Sequence, residues 1–121
     1  MTYETAMEYR FVVEQIEKID SQLSLLDSQY FTIFEISNDK ALPVYNDLWR
    51  KLNKWKRMYE NQREEFDRWI SSIPDSRIQT YAYMRFVNGL TWTAIGEKMN
   101  CKGPTARKAV QRYIQREAKK T

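Results

Sequence analysis

Apolar residues recur through the first quarter of the chain at alternating intervals of three and four: Tyr9, Val12, Ile16, Ile19, Leu23, Leu26 and Tyr30. That spacing predicts one long helix from Thr5 to about Phe31 with a single apolar seam, leaving Glu14, Glu17 and Lys18 outside it. The β-branched residues within Ile33–Ile36 weaken the helical signal, and Ser37-Asn38-Asp39 is the clearest break. Leu42-Pro43 marks the next start, because the residue before a proline is driven from helical backbone. A second seam follows at Leu48, Leu52, Trp55, Tyr59, Gln62, Phe66, Trp69 and Ile73, predicting a helix over about Val44–Ser71. Two seams of similar length joined by a short link suggest an antiparallel, coiled-coil-like helical hairpin. Each arm spans ~40 Å at ~1.5 Å per residue. So thin a hairpin does not cover both aromatic-rich seams, and it calls for the C-terminal helices or a second copy of the chain. Gln62 fits either a register-setting polar contact or a solvated position.

Ile73-Pro74-Asp75-Ser76 ends this pattern. Pro74 stops the long helix, and Asp75 or Ser76 can cap the next. The expected division is therefore a hairpin scaffold over 1–73, suited to oligomerisation, and a second domain over 74–121.

The second domain opens with the apolar set Ile78, Tyr81, Ala82 and Val87, closed by Asn88-Gly89, where glycine suits a left-handed helix end. Tyr81, Tyr83 and Phe86 read as core or as contacts to the hairpin rather than as base-stacking residues. Thr91 is the expected cap of the next helix, with Ala94 where a full capping box has Glu or Gln. Trp92, Ile95 and Met99 share one face, and Gly96 permits a close approach. Asn100-Cys101-Lys102-Gly103 breaks the helix and Pro104 suits a new first turn. The last helix sets Ala106, Ala109, Val110, Tyr113 and Ile114 against Arg107, Lys108, Gln111 and Arg112, with Arg116 one turn on. It is expected to reach about Arg116, with a frayed Lys119-Lys120-Thr121 tail. Two helices joined by a three- to four-residue turn containing Gly, the second basic outside, form the helix-turn-helix pattern. An ordinary helical hairpin with a solvated charged face has the same spacing.

Charge sharpens the contrast between the halves. Residues 75–121 hold ten Lys/Arg against three acidic residues, a balance of +7, while residues 1–74 hold ten against thirteen, a balance of −3. Segregated positive charge suits a polyanion, and an acidic protein surface also fits it. A separate basic cluster, Arg50-Lys51-Leu52-Asn53-Lys54-Trp55-Lys56-Arg57, reads as an auxiliary phosphate contact or as a coiled-coil flank paired with acids of the first helix. Lys56–Glu60 and Glu64–Arg68 can pair at i, i+4.

Composition narrows the classes. Three Gly and three Pro in 121 residues favour an all-α fold. No apolar run has the ~18 residues of a membrane span, and the polar N-terminus carries no secretion signal. A single cysteine, Cys101, excludes an internal disulfide and reads as small filler in the turn. With no His, no phosphate-cradling glycine loop and no Cys pair, nothing points to an enzyme or a cofactor. Glu64, Glu65 and Asp67 lack the convergence of a metal site. The expected location is the cytoplasm.

The stretch RIQTYAYMRFVNGLTWTAIGEKMNCKGPTARKAVQRYI resembles the fourth region of bacterial sigma-70-type factors. It resembles still more the C-terminal half of small late-operon transcriptional activators of phages of Gram-positive bacteria. Arg85-Phe86-Val87, Gly89-Leu90-Thr91-Trp92, Ile95 and Thr105 before Arg107-Lys108 carry the likeness, over roughly residues 74–116. Gly103-Pro104 and Lys102 depart from the family pattern. The resemblance implies a non-catalytic, sequence-specific regulator of transcription on double-stranded DNA at the bacterial nucleoid, with the helix from Pro104 in the major groove. Arg107, Lys108, Gln111 and Arg112 are then expected at the groove, with Lys102, Thr105, Arg116 and Lys98 on the backbone. The expected assembly is a homo-oligomer, a dimer foremost. Two alternatives stay open: an adaptor that docks on host RNA polymerase or another protein, and a small-terminase-like DNA-packaging subunit.

Overall fold

The computed structural model describes residues 1–36 and 41–120, all of whose regular structure is helical. The elements are α1 (Tyr3–Met7), α2 (Tyr9–Ile36), α3 (Ala41–Ser72), α4 (Ser76–Ala82), α5 (Trp92–Lys98) and α6 (Gly103–Lys119), with a π-helical turn over Tyr83–Val87. The expected all-α class is met. No described helix is long and apolar enough to cross a membrane. The break expected at Ser37-Asn38-Asp39 lies outside the described residues.

Several boundaries differ from the sequence reading. The first long helix is interrupted at Glu8, so α1 is a separate turn with its own cap: the Thr2 hydroxyl accepts from the Thr5 amide at 3.1 Å. Helical backbone continues through Ile36 despite its β-branched residues. α3 begins before Pro43, which sits in its first turn, where a missing amide costs no intrahelical bond. α6 extends to Lys119 rather than fraying after Arg116.

The chain forms two compact units, Met1–Phe11 with Arg63–Thr121, and Val12–Gln62. This differs from a division at Pro74. The last turns of α3 place Phe66, Ile70 and Ile73 in the same buried cluster as residues of α4, α5 and α6, and α1 adds Ala6.

In the Val12–Gln62 unit, Val12, Ile16 and Ile19 of α2 and Tyr45 and Leu52 of α3 are buried. The Tyr45 hydroxyl donates to the Leu26 carbonyl at 3.2 Å, and Lys56 Nζ lies 2.6 Å from Asp20 Oδ1. Contacts that ascend α2 descend α3, so the two helices run in opposite directions here. Only part of the second predicted seam is covered. Leu52 is buried and Tyr59 half-buried, while Leu48 and Trp55 are 42% and 49% exposed and Gln62 is solvated.

The other unit is built around aromatic contacts. Tyr9 stacks on Phe66 at 4.1 Å, and Phe86 makes T-shaped contacts with Phe66 at 6.2 Å and with Tyr3 at 5.7 Å. Ala82, Ile95, Ala106 and Val110 have no solvent exposure. Burial of this kind contributes about 25 cal/mol per Å² of apolar surface, which fixes α6 against α4 and α5.

Candidate nucleic-acid interface

The position of α6 is set by short-range chemistry upstream. Asp75 caps α4, its Oδ1 accepting from the Arg77 and Ile78 amides at 2.9 and 3.1 Å. The π-helical turn ends at Gly89, whose φ of +73° is cheap only without a Cβ, and the Leu90 amide closes back on the Met84 carbonyl at 3.0 Å. Thr91 then caps α5, accepting from the Ala94 amide at 3.1 Å.

The turn into α6 is equally constrained. Asn100 adopts φ +54°, a left-handed conformation that Asn tolerates better than most residues. The Cys101 amide reaches the Gly96 carbonyl at 2.9 Å. A Cβ on Gly96 would stand 2.6 Å from the Cys101 carbonyl oxygen and 2.7 Å from the amide of Gly103, so this glycine admits both the turn and the first residue of α6. The Cys101 thiol, half-buried, faces the Tyr81 hydroxyl at 3.7 Å. Burial, and then the Cys101 thiol, push the Tyr81 hydroxyl above its usual titration range.

α6 buries Ala106, Val110, Tyr113 and Ile114. At 3.6 residues per turn, Thr105, Lys108, Arg112, Arg116 and Lys119 fall at i, i+3, i+7, i+11 and i+14, a single row on the opposite side. All five are exposed. Among the described residues no carboxylate pairs with Lys108, Arg112, Arg116 or Lys119; Glu117 meets Lys120 instead, at 3.9 Å. The row is ~21 Å long, comparable with several phosphate spacings along one strand of duplex DNA.

The remaining predicted site residues are distributed differently. Arg107 and Gln111 form a second row about 100° around the helix, at the border of the buried face. Arg107 is exposed, but Gln111 is half-buried and lines an open groove of about 370 Å³ with Met1, Thr2, Tyr3 and Glu4. Lys102 is the N-cap residue of α6 without a side-chain cap bond, and Lys98 closes α5; both are exposed.

Three features lie beyond the sequence reading. Lys119 belongs to the helical row rather than to a tail. Arg85 lies over the Trp92 ring at 5.5 Å and donates to the Leu90 carbonyl at 2.9 Å. Trp92 Nε1 donates to the Tyr3 hydroxyl at 3.2 Å, which ties α1 to the first turn of α5. Period extension could have found Lys119; the other two depend on contacts that no local pattern encodes. Among the described residues no group of three or more His, Cys, Asp or Glu side chains could hold a metal.

Comparison with protein-family models, curated proteins and solved structures finds no match to this chain.

Proposed function

We propose that this chain is a non-catalytic DNA-binding regulator of transcription, of the phage type, that lays the outer row of α6 along duplex DNA in a bacterial cytoplasm. The observation that carries the reading is the row Lys108–Arg112–Arg116–Lys119, exposed along α6 on the side opposite its buried face. A helix held by one side and cationic on the other suits a polyanionic groove, where phosphate neutralisation supplies affinity.

Within this reading Arg107 and Arg112 are the candidates for guanine edges, since a guanidinium bonds bidentately to O6 and N7. Lys108 supplies charge at the groove, while Lys98, Lys102, Thr105 and Arg116 hold the backbone. Gln111 has the chemistry to read adenine, but its half-buried position limits its reach. Transcription as the process rests on the sigma-region-4 resemblance, and duplex binding rests on the charged face.

The test is a fluorescence-anisotropy titration of a labelled duplex with the full chain and with an Arg112→Ala/Arg116→Ala variant of unchanged helicity. Binding at least tenfold weaker in the variant supports the reading. Equal binding, or none in either protein, overturns it.

A further inference from the structure

The Val12–Gln62 unit holds an open cavity of about 420 Å³, lined by Asp27 and Tyr30 of α2 and by Tyr45, Asn46 and Trp49 of α3. Helical spacing brings these side chains together. Asp27 and Tyr30 stand at i, i+3, and Tyr45 and Trp49 at i, i+4, so each helix turns a pair of them the same way. The Tyr45 hydroxyl donates to the Leu26 carbonyl at 3.2 Å, which fixes its ring as a buried wall, 8% exposed. The Tyr30 ring lies 5.4 Å from it at a tilt of 55°. Tyr30 and Trp49 are 37% and 44% exposed, so part of each ring meets solvent. Among the described residues Asp27 is the only charged side chain in the lining, and no cation pairs with it.

We infer that this cavity binds a small quaternary ammonium of the choline class. Three aromatic rings and one carboxylate suit such a cation: the ring faces attract the methylated head electrostatically, and Asp27 neutralises its charge. The methyl groups also leave water as they cover the rings. Other occupants fit less well. A neutral apolar ligand would cover the Asp27 carboxylate and offer it no partner. A lysine ammonium is compact and strongly hydrated, and its three donors would each need an acceptor in a mainly aromatic lining. An amine that carries its own carboxylate, such as betaine, would bring a second anion to the cavity of Asp27. The cavity lies outside the unit that holds α6, so it can fail without touching the DNA-binding reading.

The test titrates the full chain with choline, with betaine and with dimethylbutanol, the neutral isostere of choline in which carbon replaces nitrogen. Nitrogen–proton correlation spectra follow the Trp49 indole N–H, assigned by its loss in Trp49→Phe, and the backbone amides of Tyr30 and Asn46. Choline should shift these signals saturably, with an affinity at least about fivefold above that of dimethylbutanol or betaine. Asp27→Asn, read at the indole, and Trp49→Ala, read at the Asn46 amide, should each weaken choline at least about fivefold, while Trp49→Phe keeps part of the affinity. Circular dichroism melts check that each variant still folds, and where one does not, the three ligands compared on the parent chain decide. No saturable shift with choline overturns the inference, as does a shift confined to residues away from the cavity. Equal affinity for choline and dimethylbutanol also overturns it, and would make the cavity a site for neutral apolar ligands. Betaine bound as tightly as choline, or choline affinity unchanged in a folded Asp27→Asn chain, would contradict the part given to the carboxylate.

Discussion

The Arg85 guanidinium lies 5.5 Å over the Trp92 ring while its Nη1 donates to the Leu90 carbonyl at 2.9 Å. One side chain thereby fastens the π-helical turn to the start of α5, across Gly89. Its Nε is buried and has no hydrogen-bond partner among the described residues, so the anchorage rests on the outer guanidinium nitrogen and the ring face. A hydrogen bond to a charged group contributes ~1.5–3 kcal/mol and a cation–π contact ~0.5–1 kcal/mol. Arg85→Ala is expected to lower unfolding free energy by about 2 kcal/mol, read from urea midpoints, with Arg85→Lys recovering only part of it. An unchanged midpoint in Arg85→Ala would show that the turn holds without this clamp.

Gly96 is the steric key to the entry into α6. A Cβ there meets backbone atoms of Cys101 and Gly103, which have little room to yield. Gly96→Ala should destabilise the chain by ~1–3 kcal/mol, the usual cost of overpacking, despite alanine's better helix propensity. A melting temperature equal to or above the parent's would mean that the turn relaxes freely. Duplex affinity should fall as well, since the same turn aims the basic row.

Raised pH should weaken the fold through its buried phenols. Tyr81 and Tyr113 are pushed above the ordinary tyrosine value of 10.0, first by burial and then by Cys101 and Glu117 respectively. Tyr9 is raised by burial and then by Asp67. A raised folded-state value means that the native chain keeps protons that the unfolded chain has released. Their contribution is therefore complete below about pH 10 and declines as pH climbs through the folded values. Urea midpoints should decline more steeply with pH in the parent than in Tyr81→Phe. Parallel slopes would remove Tyr81 from the account.

Much of the local structure was legible in the residues. Asp75 and Thr91 accept the amides their positions imply, Gly89 takes the left-handed conformation, and Leu52, Phe66 and Ile73 are buried. These depend on sterics or hydrogen bonding within a few residues, or on a helical period. Where reading stopped, long-range partners decide. A heptad pattern marks Leu52 and Leu48 alike as apolar, but cannot say which column is covered; Leu52 is buried and Leu48 is exposed. The stop at Glu8 involves no glycine or proline, and the two sides of it pack on elements far along the chain, Tyr3 on Phe86 and Tyr9 on Phe66. On α6 the period separated apolar from cationic positions. It did not separate the row through Arg112 from the flank holding Arg107 and Gln111, because the edge of the buried face depends on what packs beside it.

The most direct measurement of the central claim is the salt dependence of duplex binding. Five cations, Lys102, Lys108, Arg112, Arg116 and Lys119, stand exposed at the start and along the outer row of α6. If about five phosphates are neutralised, log K should fall against log salt with a slope near −4.5, at ~0.9 per phosphate. Replacing Lys108, Arg112 and Arg116 by alanine should flatten that slope by about 2.7. A salt-independent affinity, or the same slope in the triple variant as in the parent, would contradict the assignment of this face to DNA.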